Sequence, residues 1–466
     1  MNTNHKSDFR QSCIKRLKFV ALFSKYSRNK RVIKKLKSII QISDAKNILL
    51  YLPLDIEVDT TLLINELRRE KKIVYVPFME DDSFKIVKYR LPLHKKKFNI
   101  KEPTNSSHFP IYNTATFDLK NQNGDKIYDY TRSDNPTRAT LENFFAFAEN
   151  GYGAVCTHTG IAAVSLLFET VLKANSSILV EADCYGGTFR LLKVFKEKYN
   201  INVNFTDFTD LNMVEHVLKT NNIDLVLCES PTNPGLKIID LKEISKLCKA
   251  HNSLFAVDNS LATFISQKPL DLGADFSLFS TTKFISGHGS VIAGAIVAKT
   301  KENSEKLHYY SNALGRNQNP LDVHLISLGI SSLKVRMKAS EKLAKKFAKW
   351  LEKQDFIEKV TFPALKSHPQ KDLAKSQMKI IPSVFCADFK SVELAEKFIE
   401  NAKIFGEKCS FGSADSRVEI PSKISHASFS KEELKAIGIS DSTVRFSIGF
   451  EDLKDLKEDL LEAIKW

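Results

Sequence analysis

The 466-residue sequence predicts an α/β protein built on a mostly parallel sheet. Three observations carry that expectation. From about residue 178 on, short continuous apolar runs alternate with amphipathic helical patterns, the order of buried parallel strands and their crossover helices. Polar motifs rich in glycine and proline follow directly on several of these runs, where ligands of such sheets collect. The first 105 residues differ in composition from the remainder, which argues for a junction between two units.

That first segment holds 24 Lys and Arg against 11 Asp and Glu and contains no glycine, whereas the remainder is balanced at 45 against 44 and carries all 17 glycines. The net charge of +14 therefore belongs to one stretch, and without aromatic interleaving or a binding motif it does not point to nucleic acid. An apolar fraction of 43% and a charged fraction of 27% are those of a soluble globular chain. No apolar run reaches membrane-spanning length and the start is polar rather than signal-like, so a cytoplasmic protein without a membrane partner is expected. Seven scattered cysteines with no C-x-x-C pair predict neither a metal site nor a disulfide framework.

In chain order, the basic segment reads as two amphipathic helices (about 7 to 24 and 28 to 41), strand Asn47 to Leu52, helix Thr60 to Glu70 and strand Ile73 to Pro77. A new regime opens at Phe109-Pro110-Ile111-Tyr112. Its strands are expected at Ile178 to Glu181, Val203 to Phe205, Leu225 to Cys228 and Leu254 to Val257. The intervening helices are expected at Gly187 to Tyr199, Leu211 to Leu218 and Leu241 to Ala250. Two further apolar runs, Ala274 to Phe279 and Val291 to Ala298, flank the turn Ser280-Thr281-Thr282-Lys283-Phe284-Ile285-Ser286-Gly287-His288-Gly289. A long helical pattern from Pro320 to Lys353 contains no breaker except Gly329.

Lys283 is a charge between two buried-strand candidates, an expensive position unless a partner binds there, and it is read as a Schiff-base lysine. Ser280 and Thr282 offer hydroxyls to a phosphate. His158-Thr159-Gly160-Ile161 opens a helix whose first N–H groups suit an anion. Tyr185 follows a strand beside a glycine turn, and the prolines of Glu229-Ser230-Pro231-Thr232-Asn233-Pro234 leave Asn233 as a donor. Asp258 closes an apolar run, where a carboxylate needs a cation such as a protonated pyridine nitrogen. A lysine, an aspartate, an aromatic face and a phosphate turn are together what pyridoxal 5'-phosphate requires.

The wording and order of YDYTRSDNPTR, HTGIAA, DCYGGT, ESPTNP, VDNSLAT, STTKFISGHG and VRFSIGFED resemble the trans-sulfuration family of pyridoxal-phosphate enzymes over residues 109 to 466. The resemblance implies a type I pyridoxal-phosphate transferase fold, with a large domain at 106–334 and a small C-terminal α/β domain at 335–466. It implies that Lys283 carries the cofactor and moves protons, that Asp258 holds the pyridinium nitrogen, and that Tyr185 stacks on the ring. Gly160, Ile161, Ser280 and Thr282 would bind phosphate, with Asn233 also at the cofactor. Tyr130 and Arg132 would reach a neighbouring subunit's cofactor in a homodimer or homotetramer. Arg445, helped by Ser410, would clamp the carboxylate of a sulfur-containing amino acid or activated homoserine.

Residues 1–105, with Lys6, Arg10 and the run YLPLDIEVDTTLLINELRREKKIVYVPFM, resemble the N-terminal half of 5-formyltetrahydrofolate cyclo-ligase. That likeness implies ATP phosphates near Lys6 and Arg10 and folate near Glu57, but the glycine-rich phosphate loop of that family is missing. The trans-sulfuration pattern is departed from at Leu328, where arginine is common, and at Cys409, where glutamate or an aromatic residue is common. The oligomer-binding arm is replaced by the basic segment. A cystathionine lyase or γ-synthase is expected ahead of O-acetylhomoserine sulfhydrylase or methionine γ-lyase. An inactive fusion product and a folate-binding remnant are the readings from other classes.

Overall fold

The structure is a computed structural model and describes residues 32–40, 45–51, 60–80, 83–88, 93–95, 101–103, 108–117 and 128–465. The described residues form two compact units, one up to Pro110 and the other from Ile111 onward.

The first unit contains a helix over 32–40, followed by a strand–helix–strand crossover: Asn47–Leu49, Thr61–Arg69 and Ile73–Glu80, the two strands paired in parallel. Ser83–Lys88 then adds antiparallel to Ile73–Glu80. The first strand is shorter and the second longer than their apolar runs suggest. Ile48, Leu63, Leu67, Val74 and Val76 form the small core. Lys6, Arg10, Glu57 and the helix expected at 7 to 24 lie outside the described residues.

The second unit is organised by a seven-stranded sheet in the order Gly153–Thr157, Gly294–Ala298, Phe276–Phe279, Leu254–Asp258, Leu225–Glu229, Ser177–Glu181, Asn202–Thr206. Gly294–Ala298 runs antiparallel to both neighbours, and the other pairings are parallel. Each expected strand and helix of this sheet is present within one or two residues at either end, because continuous apolar strands buried on both faces have no other stable place. The two runs flanking Lys283 pair later than they begin, at Phe276 and Gly294.

Helix Pro320–Leu351 runs unbroken through Gly329 into a second sheet, ordered Ile357–Thr361, Val384–Phe389, Thr443–Ser447, Arg417–Glu419, Gly406–Glu407. Phe385 and Phe446 stack at 5.0 Å in its core, with Phe347, Phe398 and Phe405 around them. Burying each such ring stabilises the sheet by roughly 1.5–3 kcal/mol. Strand alternation does the rest: with Val444 and Phe446 committed to this core, Arg445 faces the opposite side, toward the strand ends of the large sheet. Among the described residues no helix is long and apolar enough to cross a membrane.

Candidate active site

A cavity of about 520 Å³ opens at the carboxyl ends of the large sheet's parallel strands, closed from the other side by the 409–411 and 424–425 loops and Arg445. Gly160, Ile161, Tyr185, Asn233, Asp258, Ser280, Thr282, Lys283, Ser410 and Arg445 all line it. Tyr130 and Arg132 do not. They are exposed elsewhere, the Arg132 guanidinium 5.3 Å from the Tyr130 ring and its Nε 3.3 Å from Asn312 Oδ1.

Lys283 Nζ donates to Ser410 Oγ at 2.6 Å and lies 4.9 Å from the Phe411 ring. Burial, helped by the nearby Arg445 charge, lowers its pKa to about 8, so near neutral pH a useful fraction is a free amine. The turn that carries Lys283 is held from behind by a residue outside the sequence-derived set. Arg336, on the long helix, donates to Phe284 O at 2.7 Å, to Ile285 O at 3.1 Å and to Gly329 O of its own helix at 2.8 Å. The first two are carbonyls that a short turn leaves without backbone acceptor duty. A side chain at Gly287, where φ is +70°, would collide with the same guanidinium.

Asp258 accepts the Ser260 N–H at 2.9 Å, and burial raises its pKa. It sits in register with Glu229 of the adjacent strand, a carboxyl pushed well above its usual range by burial and by the Asp258 charge. Glu229 is the member of the pair pushed further toward its protonated form, and its Oε1 accepts the Tyr185 N–H at 2.7 Å. Asp258 faces the cavity, and among the described residues Lys283 is the cation whose charge acts on it.

Arg445 is 3% exposed and held by Asn233 Oδ1 at 3.0 Å, Ser410 O at 3.0 Å and the buried Glu419 at 3.1 Å. At the other end of the cavity, helix Gly160–Val171 begins with its first N–H groups free of intrahelical acceptors, and Thr159 caps the Ala162 N–H at 2.9 Å. A β-carbon on Gly160 would lie 2.6 Å from Ser280 Cβ, so glycine is what lets the helix start and the Ser280 turn converge. Thr282 Oγ1 is already engaged, donating to Ala293 O at 3.1 Å and accepting from Ala293 N at 2.9 Å, so its proton is not spare. Ser260, whose Oγ accepts the Ser280 N–H at 2.6 Å, is a second hydroxyl on this wall that sequence reasoning did not single out.

These residues fit pyridoxal phosphate: helix N–H groups and hydroxyls for a phosphate, a buried carboxyl for the ring nitrogen, and an amine of depressed pKa. Besides Ser260, sequence reading missed Arg190, Glu229, Phe411 and Ser425 on the cavity and Arg336 behind it. Arg190 and Ser425 each stand in helix or loop patterns with no local signal.

Residues 93–465 match the family model described as Cys/Met metabolism PLP-dependent enzyme, and residues 2–119 match that of the 5-formyltetrahydrofolate cyclo-ligase family. The chain is 36% identical over 356 residues to a cystathionine beta-lyase of Lactococcus lactis subsp. cremoris, covering 76% of this chain and 93% of the relative. It is 37% identical over 368 residues to an L-methionine gamma-lyase of Fusobacterium nucleatum subsp. polymorphum, with the same coverage. A solved structure of cystathionine gamma synthase from Xanthomonas oryzae pv. oryzae, in complex with cystathionine, superposes with a TM-score of 0.74 at 34% identity, covering 79% of this chain and 94% of that one. With the amine, the carboxylate and the anion cradle on one cavity, and with these matches, the chain belongs to the pyridoxal-phosphate-dependent enzymes of cysteine and methionine metabolism and is a trans-sulfuration enzyme.

Proposed function

We propose that the enzyme breaks or forms the carbon–sulfur bond of cystathionine, with Lys283 as both the covalent attachment point of the cofactor and the base that moves protons between substrate carbons. The observation that carries this reading is the meeting of Lys283, Asp258 and Arg445 on one cavity, with the Lys283 pKa near 8. When bound, pyridoxal phosphate withdraws electrons from the substrate's α-carbon. The chain supplies the rest. Asp258 holds the pyridine nitrogen protonated, Tyr185 covers the ring face, and Gly160, Ile161, Ser280 and Ser260 bind phosphate, with Thr282 shaping the turn through Ala293. Asn233 orients Arg445, which grips the substrate carboxylate by releasing one of its present acceptors, and Ser410 positions the Lys283 amine. Arg190 gives the cavity a second guanidinium, exposed and without a hydrogen-bond or ion-pair partner among the described residues. Cystathionine has two carboxylates, and methionine has one.

The same reading extends to assembly. Tyr130 and Arg132 stand away from their own cavity, which suits phosphate binding across a homodimer or homotetramer interface in the cytoplasm. Exposed Leu321, Leu328, Val335 and Ile292 offer apolar surface for it. Residues 1–105, 106–334 and 335–466 are taken as the domains, the first a cyclo-ligase-like relic that adds no catalysis. Purified protein assayed with cystathionine, methionine, and O-acetylhomoserine plus sulfide or cysteine tests the reading. Cystathionine turnover or synthesis is expected to dominate, and exclusive use of methionine or sulfide would refute it.

A further inference from the structure

The hydroxyl of Ser425 can only accept hydrogen bonds from a molecule in the cavity. Ser425 Oγ lies 3.0 Å from His426 Nδ1, and His426 Nε2 lies 3.3 Å from the Cys184 carbonyl. A carbonyl has no proton to give, so Nε2 carries the ring proton and Nδ1 keeps its lone pair. The ring is fully buried, and that burial lowers its pKa to about 4, so the imidazole is neutral at physiological pH. The single Ser425 proton is thereby committed to Nδ1, and only lone pairs are left for the cavity, which Ser425 lines.

The surroundings add an opposite half. Ser425 O and Arg190 Nη1 both lie within 3.5 Å of the point that a β-carbon on Gly186 would occupy. Ser425 and Arg190 both line the cavity, so an acceptor hydroxyl and a group that only donates face the same space. No hydrogen bond joins Ser425 to Arg190 among the described residues. A carboxylate cannot satisfy Ser425, because both would present lone pairs. An ammonium can, and the pairing of an acceptor with a guanidinium is the complement of an α-amino-acid head.

We propose that Ser425, oriented by His426, is a specificity-determining residue that accepts a hydrogen bond from the distal ammonium of a substrate with two amino-acid heads. This rests on the trans-sulfuration reading and deepens it. A ligand that ends in a thioether methyl has no donor to offer and leaves the serine lone pairs dry, a loss that a site built to hydrogen-bond its substrate turns into discrimination.

The test uses the holoenzyme and compares the KM for cystathionine with the inhibition constant of methionine against the same reaction. Ser425→Ala and Ser425→Cys are expected to lower the preference for cystathionine about tenfold, mainly through KM, and Ser425→Thr to preserve it. Nitrogen chemical shifts of His426 in the wild type are expected to show Nε2 protonated and Nδ1 bare. An unchanged preference in both Ala and Cys variants, an equal loss for both ligands, or a protonated Nδ1 overturns the proposal. Variants that keep the cofactor's visible absorption and turnover but show no such loss sink only the Ser425 role. A wild type with neither absorption nor turnover sinks the trans-sulfuration reading and this inference together.

Discussion

Lys283 Nζ meets Ser410 Oγ at 2.6 Å, and Ser410 holds φ at +84° while making that contact. A non-glycine residue in the left-handed region costs on the order of 1 kcal/mol or more, and such strain gathers at functional sites. Here its effect is visible: the same residue turns its carbonyl to Arg445 and its hydroxyl to Lys283. Ser410→Gly relieves the strain and Ser410→Ala does not, so thermal unfolding should place the glycine variant above the alanine variant by about 1 kcal/mol. Both should slow capture of pyridoxal phosphate by the apoenzyme, since both lose the hydroxyl.

The lowered pKa of Lys283 has a definite sign. Only the neutral amine attacks a carbonyl, so the rate of cofactor capture should climb with pH and level off above about 8, the value to which burial and Arg445 bring this lysine. A lysine in water would go on rising toward about 10.4. Stopped-flow absorption of apoenzyme mixed with cofactor across that range measures the curve, and a midpoint near 10 would contradict the assigned environment.

Arg336 touches no cavity atom, yet its guanidinium satisfies Phe284 O and Ile285 O directly after Lys283. Lysine at 336 offers one point of donation in place of a planar fork. Arg336→Lys should therefore reduce kcat about tenfold with little change in KM, and should slow cofactor capture while the far-ultraviolet circular dichroism stays that of the wild type. Equal capture rates in the two proteins would show that the turn holds itself.

Much of this was legible in the sequence, and the reason is local. Strands such as Leu225–Glu229 and Leu254–Asp258 announce themselves by unbroken apolar runs, and the candidate site residues stand at or just after their ends, Asp258 closing one strand and Asn233 in the loop that follows the other. The same logic failed wherever a role depends on a partner distant in sequence. Arg336 reads as one more charge on an amphipathic helix until Gly287 and Phe284 are seen against it. The hydrogen bonds that tie Thr282 to Ala293 are likewise invisible in the sequence. His426 reads as a loop histidine until burial and the Cys184 carbonyl fix its tautomer.

The basic N-terminal segment offers a further test. An incomplete half-domain exposes apolar surface that its absent partner would have covered, which favours wrong association over function. Deleting residues 1–105 should leave the cofactor content per chain unchanged or higher, measured by absorption after gel filtration. Loss of cofactor on deletion would mean that this segment has taken over the role of an assembly arm.

The account stands or falls on Lys283 as the attachment point. Borohydride reduction of the holoenzyme, followed by peptide mass mapping, reads that atom directly, because reduction makes the link between cofactor and lysine permanent. A phosphopyridoxyl group on the peptide that contains Lys283, absent in Lys283→Ala together with the visible absorption and turnover, is the predicted result. The group on any other lysine, or a Lys283→Ala protein that still turns over substrate, would contradict it.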